Sequence, residues 1–202
     1  MPYAPEHKEQ TRAHIVECAR RMFNRHGFEA VSIDQIMASA GLTRGGFYHH
    51  FANKEELYGE AVASYARCNP AAGLDFSAPA RQIVLQIVNA YLSRHHLEDL
   101  DRHCPMIALP SDVARAGPAV RRTYEMLLGG MVRMFERGVE PADGDARQAA
   151  LAIATLCVGG MVLARTLEDD DLAGEIREAA RRVALEVGGL GAAPVSASAS
   201  SN

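Results

Sequence analysis

The 202-residue chain has no tryptophan, and nowhere does it alternate apolar and polar residues for long enough to mark a half-buried strand. A sheet is therefore not expected, and the fold class read from the sequence is all-α. The four cysteines (Cys18, Cys68, Cys104 and Cys157) contain no C-x-x-C pair, and the opening MPYAPEHKEQTR has no apolar leader core. Both absences favour free thiols and a cytoplasmic location over a disulfide scaffold. The longest uncharged run, AALAIATLCVGGMVLA at 149–164, is shorter than the roughly 20 residues a bilayer span needs. Gly159 and Gly160 dilute it further, so it reads as a buried helix and no membrane partner is expected. No G-x-x-x-x-G-K-[ST], G-x-S-x-G or H-E-x-x-H is present. That leaves no motif for an enzyme, a cofactor or a metal.

Charge is unevenly placed. The net charge is −4, yet residues 1–67 carry 8 basic and 8 acidic side chains, so the deficit lies beyond them. Within 12–54 there are 6 basic residues against 3 acidic ones, with histidines interspersed. This local bias permits phosphate binding without requiring it.

What the chain does have is helical patterning. Ile15, Ala19, Met22 and Phe23 make one apolar stripe on a helix over 8–26, and Gly27 stands where a left-handed terminal residue is wanted. Arg20, Arg21 and Arg25 point elsewhere, as a solvated face or as backbone-phosphate contacts. Ser32-x-x-Gln35 matches a capping box that opens a second helix, which Gly41 stops. Thr43 is positioned to cap a short third helix to about His50, and Asn53 a fourth over 54–68. The segment 69–79 reads as a hinge. Helical patterns follow over 80–97, 119–139, 145–168 and 171–188, whereas Pro105, Pro110 and Pro118 allow at most one or two short helices in 101–118. About nine helices are expected: a domain of short helices over 1–54, linked through the helix at 54–68 to a helical domain over 55–190, and a disordered tail over 191–202.

Two helices joined by a tight glycine-containing turn form the helix-turn-helix pattern, whose second helix enters a major groove about 12 Å wide. Gly45 and Gly46 thin the leading face of that helix at a cost of about 1 kcal/mol each in propensity. The run I-V-E-C-A-R-R-M-F-N-R-H-G-F, followed by V-S-I-D-Q-I-M-A-S-A-G-L-T-R-G-G-F-Y-H-H-F and N-K-E-E-L, resembles the DNA-binding domain of the TetR family of bacterial regulators. The resemblance covers about a quarter of the chain. It implies Arg44 as base reader and Gly45 and Gly46 near the groove. It also implies Ser32, Thr43, Tyr48, His49, His50 and Lys54 as further DNA contacts, with Tyr48, His50 and Lys54 on phosphates. Phe47 and Phe51 are better placed as packing under the helix. Asp34 either accepts from a cytosine or serves the helix cap. His49 and His50 do not read as a metal pair, because neighbours on a helix point about 100° apart.

The resemblance further implies a homodimer on a double-stranded operator, released by a small-molecule effector bound in the second domain. Dimer candidates on the last two helices are Ala149, Ala152, Ile153, Leu156, Gly160, Leu163, Ile176, Ala180, Val183 and Val187; the alternative is packing within one subunit. The candidate effector pocket comprises Tyr91, Cys104, Met106, Tyr124, Leu128, Met131, Met134, Phe135, Cys157 and Met161, residues that would equally make an ordinary core. Cys104 is also a candidate thiol sensor if Arg102 and His103 lower its pKa, and otherwise a buried hydrophobe. His95, His96, His103 and Cys104 match no recognised zinc spacing. A small all-α enzyme with a structural N-terminal domain is the rival of another class, and lacks a catalytic constellation.

Overall fold

The computed structural model describes residues 5–68, 77–101, 104–142 and 144–191. Most of the expected hinge, Arg102, His103 and the tail from 192 onward lie outside the described residues. Those described fold into eleven helices with no strand.

α1 (Pro5–His26), α2 (Ile33–Ser39), α3 (Arg44–Phe47) and α4 (Lys54–Cys68) form the head. Ile15, Ala19 and Phe23 of α1 are buried against Ile36 and Met37 of α2, Phe47 of α3, and Leu57, Tyr58 and Ala61 of α4. The ring of Tyr58 meets Phe23 edge-on at 5.2 Å and Phe28 at 4.6 Å. The first two of the three turns between head helices contain left-handed glycines, Gly27 (φ 78°) and Gly41 (φ 70°), where a Cβ would be strained.

α5 (Ala80–Tyr91), α6 (Arg94–Glu98), α7 (Pro105–Ala108), α8 (Pro110–Arg115), α9 (Pro118–Glu136), α10 (Ala146–Arg165) and α11 (Asp170–Val187) make the second bundle. Two departures from the expected helix map have local causes. The helix expected over 80–97 divides at Ser93, whose Oγ donates to Ala90 O at 2.7 Å, closing α5, and accepts from His96 N at 3.1 Å, opening α6. The prolines at 105, 110 and 118 do not merely interrupt the chain. Each starts a helix, at a position where the missing N–H would have had no partner in any case.

The head does not end at residue 54 in packing terms. Leu109, Val113 and Val120 from α8, α9 and the turn before α8 are buried in the head's own core. Polar bonds add to this seam: Asp112 accepts from Phe28 N at 2.9 Å, Glu55 from Gly117 N at 2.7 Å, and Asn24 O from Arg165 Nη2 at 2.7 Å. Arg20 corrects the expectation of a solvated α1 face. Arg20 is 5% exposed and donates to Asp101 O at 2.7 Å, and Arg25 pairs with the Asp101 carboxylate at 2.6 Å. Arg25 stays exposed in that pair, as Arg21 does in its own with Glu17 at 2.8 Å.

Candidate nucleic-acid interface

The reading helix is set by the helix before it. Ser32 caps α2 through a complete capping box: its Oγ accepts from Gln35 N at 3.2 Å while Gln35 Oε1 accepts from Ser32 N at 2.8 Å. α3 is shorter than expected. Thr43 occupies the N-cap in extended conformation, but its hydroxyl makes no capping bond, and the helix proper ends at Phe47. Residues 48–50 continue as tight turns, with His49 N bonded to Gly46 O and His50 N to Phe47 O.

Phe47 and Phe51 are buried, their centroids 5.5 Å apart, and they anchor the turn from below as expected. Over them, Thr43, Arg44, Gly45 and His49 are exposed, and Tyr48 leaves 58% of its surface in solvent with its ring edge-on to Phe47 at 5.2 Å. A Cβ at Gly45 would meet nothing within 4 Å, so its slimness serves no packing inside the chain. Gly46 lies against Met37 of α2. This surface presents backbone, one guanidinium and one phenol side by side to solvent.

Three side chains behave in ways the sequence did not disclose. Arg44 Nη1 is bound by the Asp34 carboxylate at 2.8 Å, an exposed ion pair across the α2–α3 turn. Lys54 points inward: its ammonium donates to Phe28 O at 2.8 Å and Val31 O at 2.9 Å, and sits 4.1 Å from the centroid of the Phe28 ring. His50 is half-buried, with Nδ1 buried and unpartnered. Burial first, then the charges of Lys8, Arg12 and His49, push its pKa down, so near neutrality its imidazole is uncharged. Asn53 caps α4 by accepting from Glu56 N at 2.8 Å, while the Glu56 carboxylate takes Ala52 N at 2.7 Å. Arg12 reaches from α1 to Glu56 at 3.1 Å and to Glu60, lying over the Phe51 ring.

In the second bundle, Tyr91, Cys104, Met106, Met131, Phe135, Cys157 and Met161 are all buried in one packed core, with Tyr124, Leu128 and Met134 partly buried against it. Met134 also lines a groove of about 460 Å³ between α5 and α9, together with Ile83, Arg133 and Arg137. Cys104 is fully buried, and burial pushes its thiol pKa up despite the nearby Tyr91 and Tyr65 hydroxyls. Burial favours the protonated thiol, which does not favour a sensor role for Cys104. Cys157 is likewise pushed up to about 12 by burial. His96 is a core residue, its Nδ1 2.8 Å from Tyr91 O and its ring edge-on to Tyr91. Among the described residues no group of three or more His, Cys, Asp or Glu is placed to hold a metal ion.

The expected dimer face divides in two. Ala149, Ile153, Gly160 and Ala180 are buried within the subunit, and a Cβ on Gly160 would run into Ala180 at 2.8 Å, so α10 and α11 cross closely there. Ala152, Leu156, Ile176 and Val187 are half-buried, and Leu163 and Val183 are exposed. The exposed strip also includes Leu151 and Leu172, neither of which the spacing singled out.

A short capped helix, a left-handed glycine turn and an exposed, glycine-thinned second helix on an aromatic base define a helix-turn-helix transcriptional regulator. Residues 15–61 match the family model described as bacterial regulatory proteins, tetR family. The regulator TtgR of Pseudomonas putida is 28% identical over 86% of this chain and 89% of its own length. The transcriptional repressor AcnR of Corynebacterium glutamicum is 40% identical, over 24% of this chain and 26% of its own. The solved structure of E. coli NemR in its reduced form shares the fold, with a TM-score of 0.73 at 17% identity over 88% of this chain and 96% of that one. The chain is thus similar to TetR-family transcriptional regulators, through the family's sequence pattern in the head and through the fold over most of its length.

Proposed function

We propose that the protein is a repressor that binds a palindromic operator as a homodimer and is released when a small molecule occupies its second bundle. The observation that carries the DNA reading is the outward set of Arg44, Gly45, Tyr48 and His49 over a buried Phe47–Phe51 base. Arg44 reads a guanine edge, Tyr48 donates its hydroxyl to a phosphate, and Ser32 and Thr43 lie at the entry of the two helices, where backbone N–H groups favour phosphate. His50 contributes through Nε2, since its other nitrogen is buried. Lys54 acts from within, by holding the loop before α2. The relative named a repressor supports that sign of regulation.

Support for a dimer comes from α10. It is 20 residues long with a mean hydropathy of 1.6 over an 18-residue window, apolar enough by length and composition to cross a membrane, yet it packs among α5, α9 and α11. Only 39% of its apolar window is buried in the subunit, so the strip with Leu151 and Leu163 needs a second cover, and the same strip of a second copy fits it. The seam at Asp112, Glu55 and Arg165 is the path by which bundle and head share one equilibrium, so that effector and operator weaken each other equally.

The test is DNA binding across a salt series with a palindromic site upstream of the gene. The parent should lose affinity steeply with salt. Arg44→Ala should cost about 1–3 kcal/mol and relax specificity at one base position, and Tyr48→Phe should weaken all sequences alike. Equal affinity of an Arg44→Ala, Tyr48→Phe double variant and the parent would exclude this face as the interface.

A further inference from the structure

A second, smaller cavity of about 230 Å³ opens between α6 and the facing ends of α10 and α11, lined by Arg94, Leu97, Glu98, Arg165, Asp170 and Arg177 among others. Its charges do not balance locally. Both carboxylates are engaged by one residue: Arg94 binds Glu98 at 2.6 Å and Asp170 at 3.5 Å. Arg165 and Arg177 have no carboxylate partner among the described residues; Glu178, next to Arg177, is bound by Arg181 at 2.6 Å. Each of the two donates instead to a backbone carbonyl: Arg165 Nη2 to Asn24 O at 2.7 Å and Arg177 Nη1 to Leu92 O at 3.1 Å. Arg165 Nη1 and Arg177 Nε are buried and unpartnered.

Two partly desolvated guanidiniums line one cavity whose three arginines outnumber its two carboxylates, so positive charge there is left uncompensated, which is costly unless an anion meets it. A neutral acceptor would satisfy the hydrogen bonds but leave the charge uncompensated. We infer that this cleft binds a small oxyanion of phosphate size, held by the forks of Arg165 and Arg177. A tetrahedral dianion matches both requirements, because guanidinium donors are planar and pair with two oxygens at once. The volume suits a few heavy atoms rather than a bulky apolar effector. Arg165 also ties α10 to the last turn of α1, so an occupied site would hold the residue that links bundle and head.

The experiment is a calorimetric titration of the full chain with inorganic phosphate at constant ionic strength, with chloride as the control and a parallel melting series. The expected result is one saturable site and a rise in Tm with phosphate alone. Arg177→Gln should weaken binding about tenfold or more, as loss of a charge-assisted bond implies. Arg133→Gln, on the distant groove, should leave it intact. Arg165→Gln also breaks the Asn24 bond, so its reading is taken only with a circular dichroism spectrum matching the parent. Sulfate and acetate titrations separate a tetrahedral anion from a carboxylate, either of which retains the site. Absence of saturable binding by the parent, or an equal loss in Arg133→Gln, overturns it. No DNA is present in the measurement, so its failure leaves the operator reading untouched.

Discussion

The Arg44–Asp34 pair decides how the candidate reading face behaves before it meets DNA. Both side chains are more than half exposed, 63% and 55%, so their 2.8 Å ion pair contributes only about 0–1 kcal/mol. The guanidinium can therefore exchange Asp34 for a guanine edge at little cost. Until it does, the carboxylate keeps Arg44 from wandering and subtracts a positive charge from the surface. Asp34→Asn should then tighten DNA binding at low salt by about threefold, a gain of roughly 0.7 kcal/mol that is lost to screening as salt rises. Thermal stability should fall by less than about 1 kcal/mol, since Asp34 also lies in the first turn of α2. Fluorescence anisotropy on matched and mismatched operators checks the affinity, and a thermal melt checks the stability. If Asp34→Asn instead weakened binding at a single base position, the carboxylate would be a cytosine acceptor.

Lys54 acts on whole elements, because its ammonium joins the N-terminus of α4 to the loop that launches α2. Removing it leaves Phe28 O and Val31 O without their charged donor and strips the cation from the Phe28 ring. Lys54→Ala should destabilise the protein by about 2 kcal/mol, read as a lower urea midpoint at unchanged m-value. Arginine at this position should restore little, because a planar fork does not reproduce a point donor between two carbonyls. The sequence disclosed the existence of this element but not its inward aim, and the reason is general. Capping boxes, apolar stripes and left-handed glycines act within a few residues, so Ser32 with Gln35, Gly27 and Gly41 were legible, as were Phe47 and Phe51 beneath the reading helix. Bonds such as Arg20 to Asp101 O or Arg165 to Asn24 O join residues 81 and 141 positions apart. No local pattern marks them. The break at Ser93 was hidden for the opposite reason: the apolar stripe runs on through both pieces, and one hydroxyl redirects the chain.

At the scale of the molecule, the bundle leaves the exposed side of α10 and α11 unfinished. Sequence spacing alone mixed the two sides of this helix pair, since small residues serve equally well in an intrasubunit crossing and at an interface. Burial separates them: Gly160 and Ala180 hold α10 to α11, whereas Leu151, Leu163, Leu172 and Val183 face outward. The two groups should respond oppositely to substitution. Gly160→Leu forces a side chain against Ala180 and Leu92, so it should cost several kcal/mol in overpacking and lower Tm in any assembly state. Leu163→Glu with Val183→Glu adds charge to a surface that is 55% and 38% exposed in the isolated subunit, so the fold has little to lose. A dimer closed over that strip, however, would desolvate four carboxylates without partners, each at a penalty of several kcal/mol. The double variant should sediment as a folded monomer with a parent-like helical spectrum, and its operator affinity should fall because two half-sites are no longer engaged together. Sedimentation of both proteins as the same species would exclude this strip as the interface.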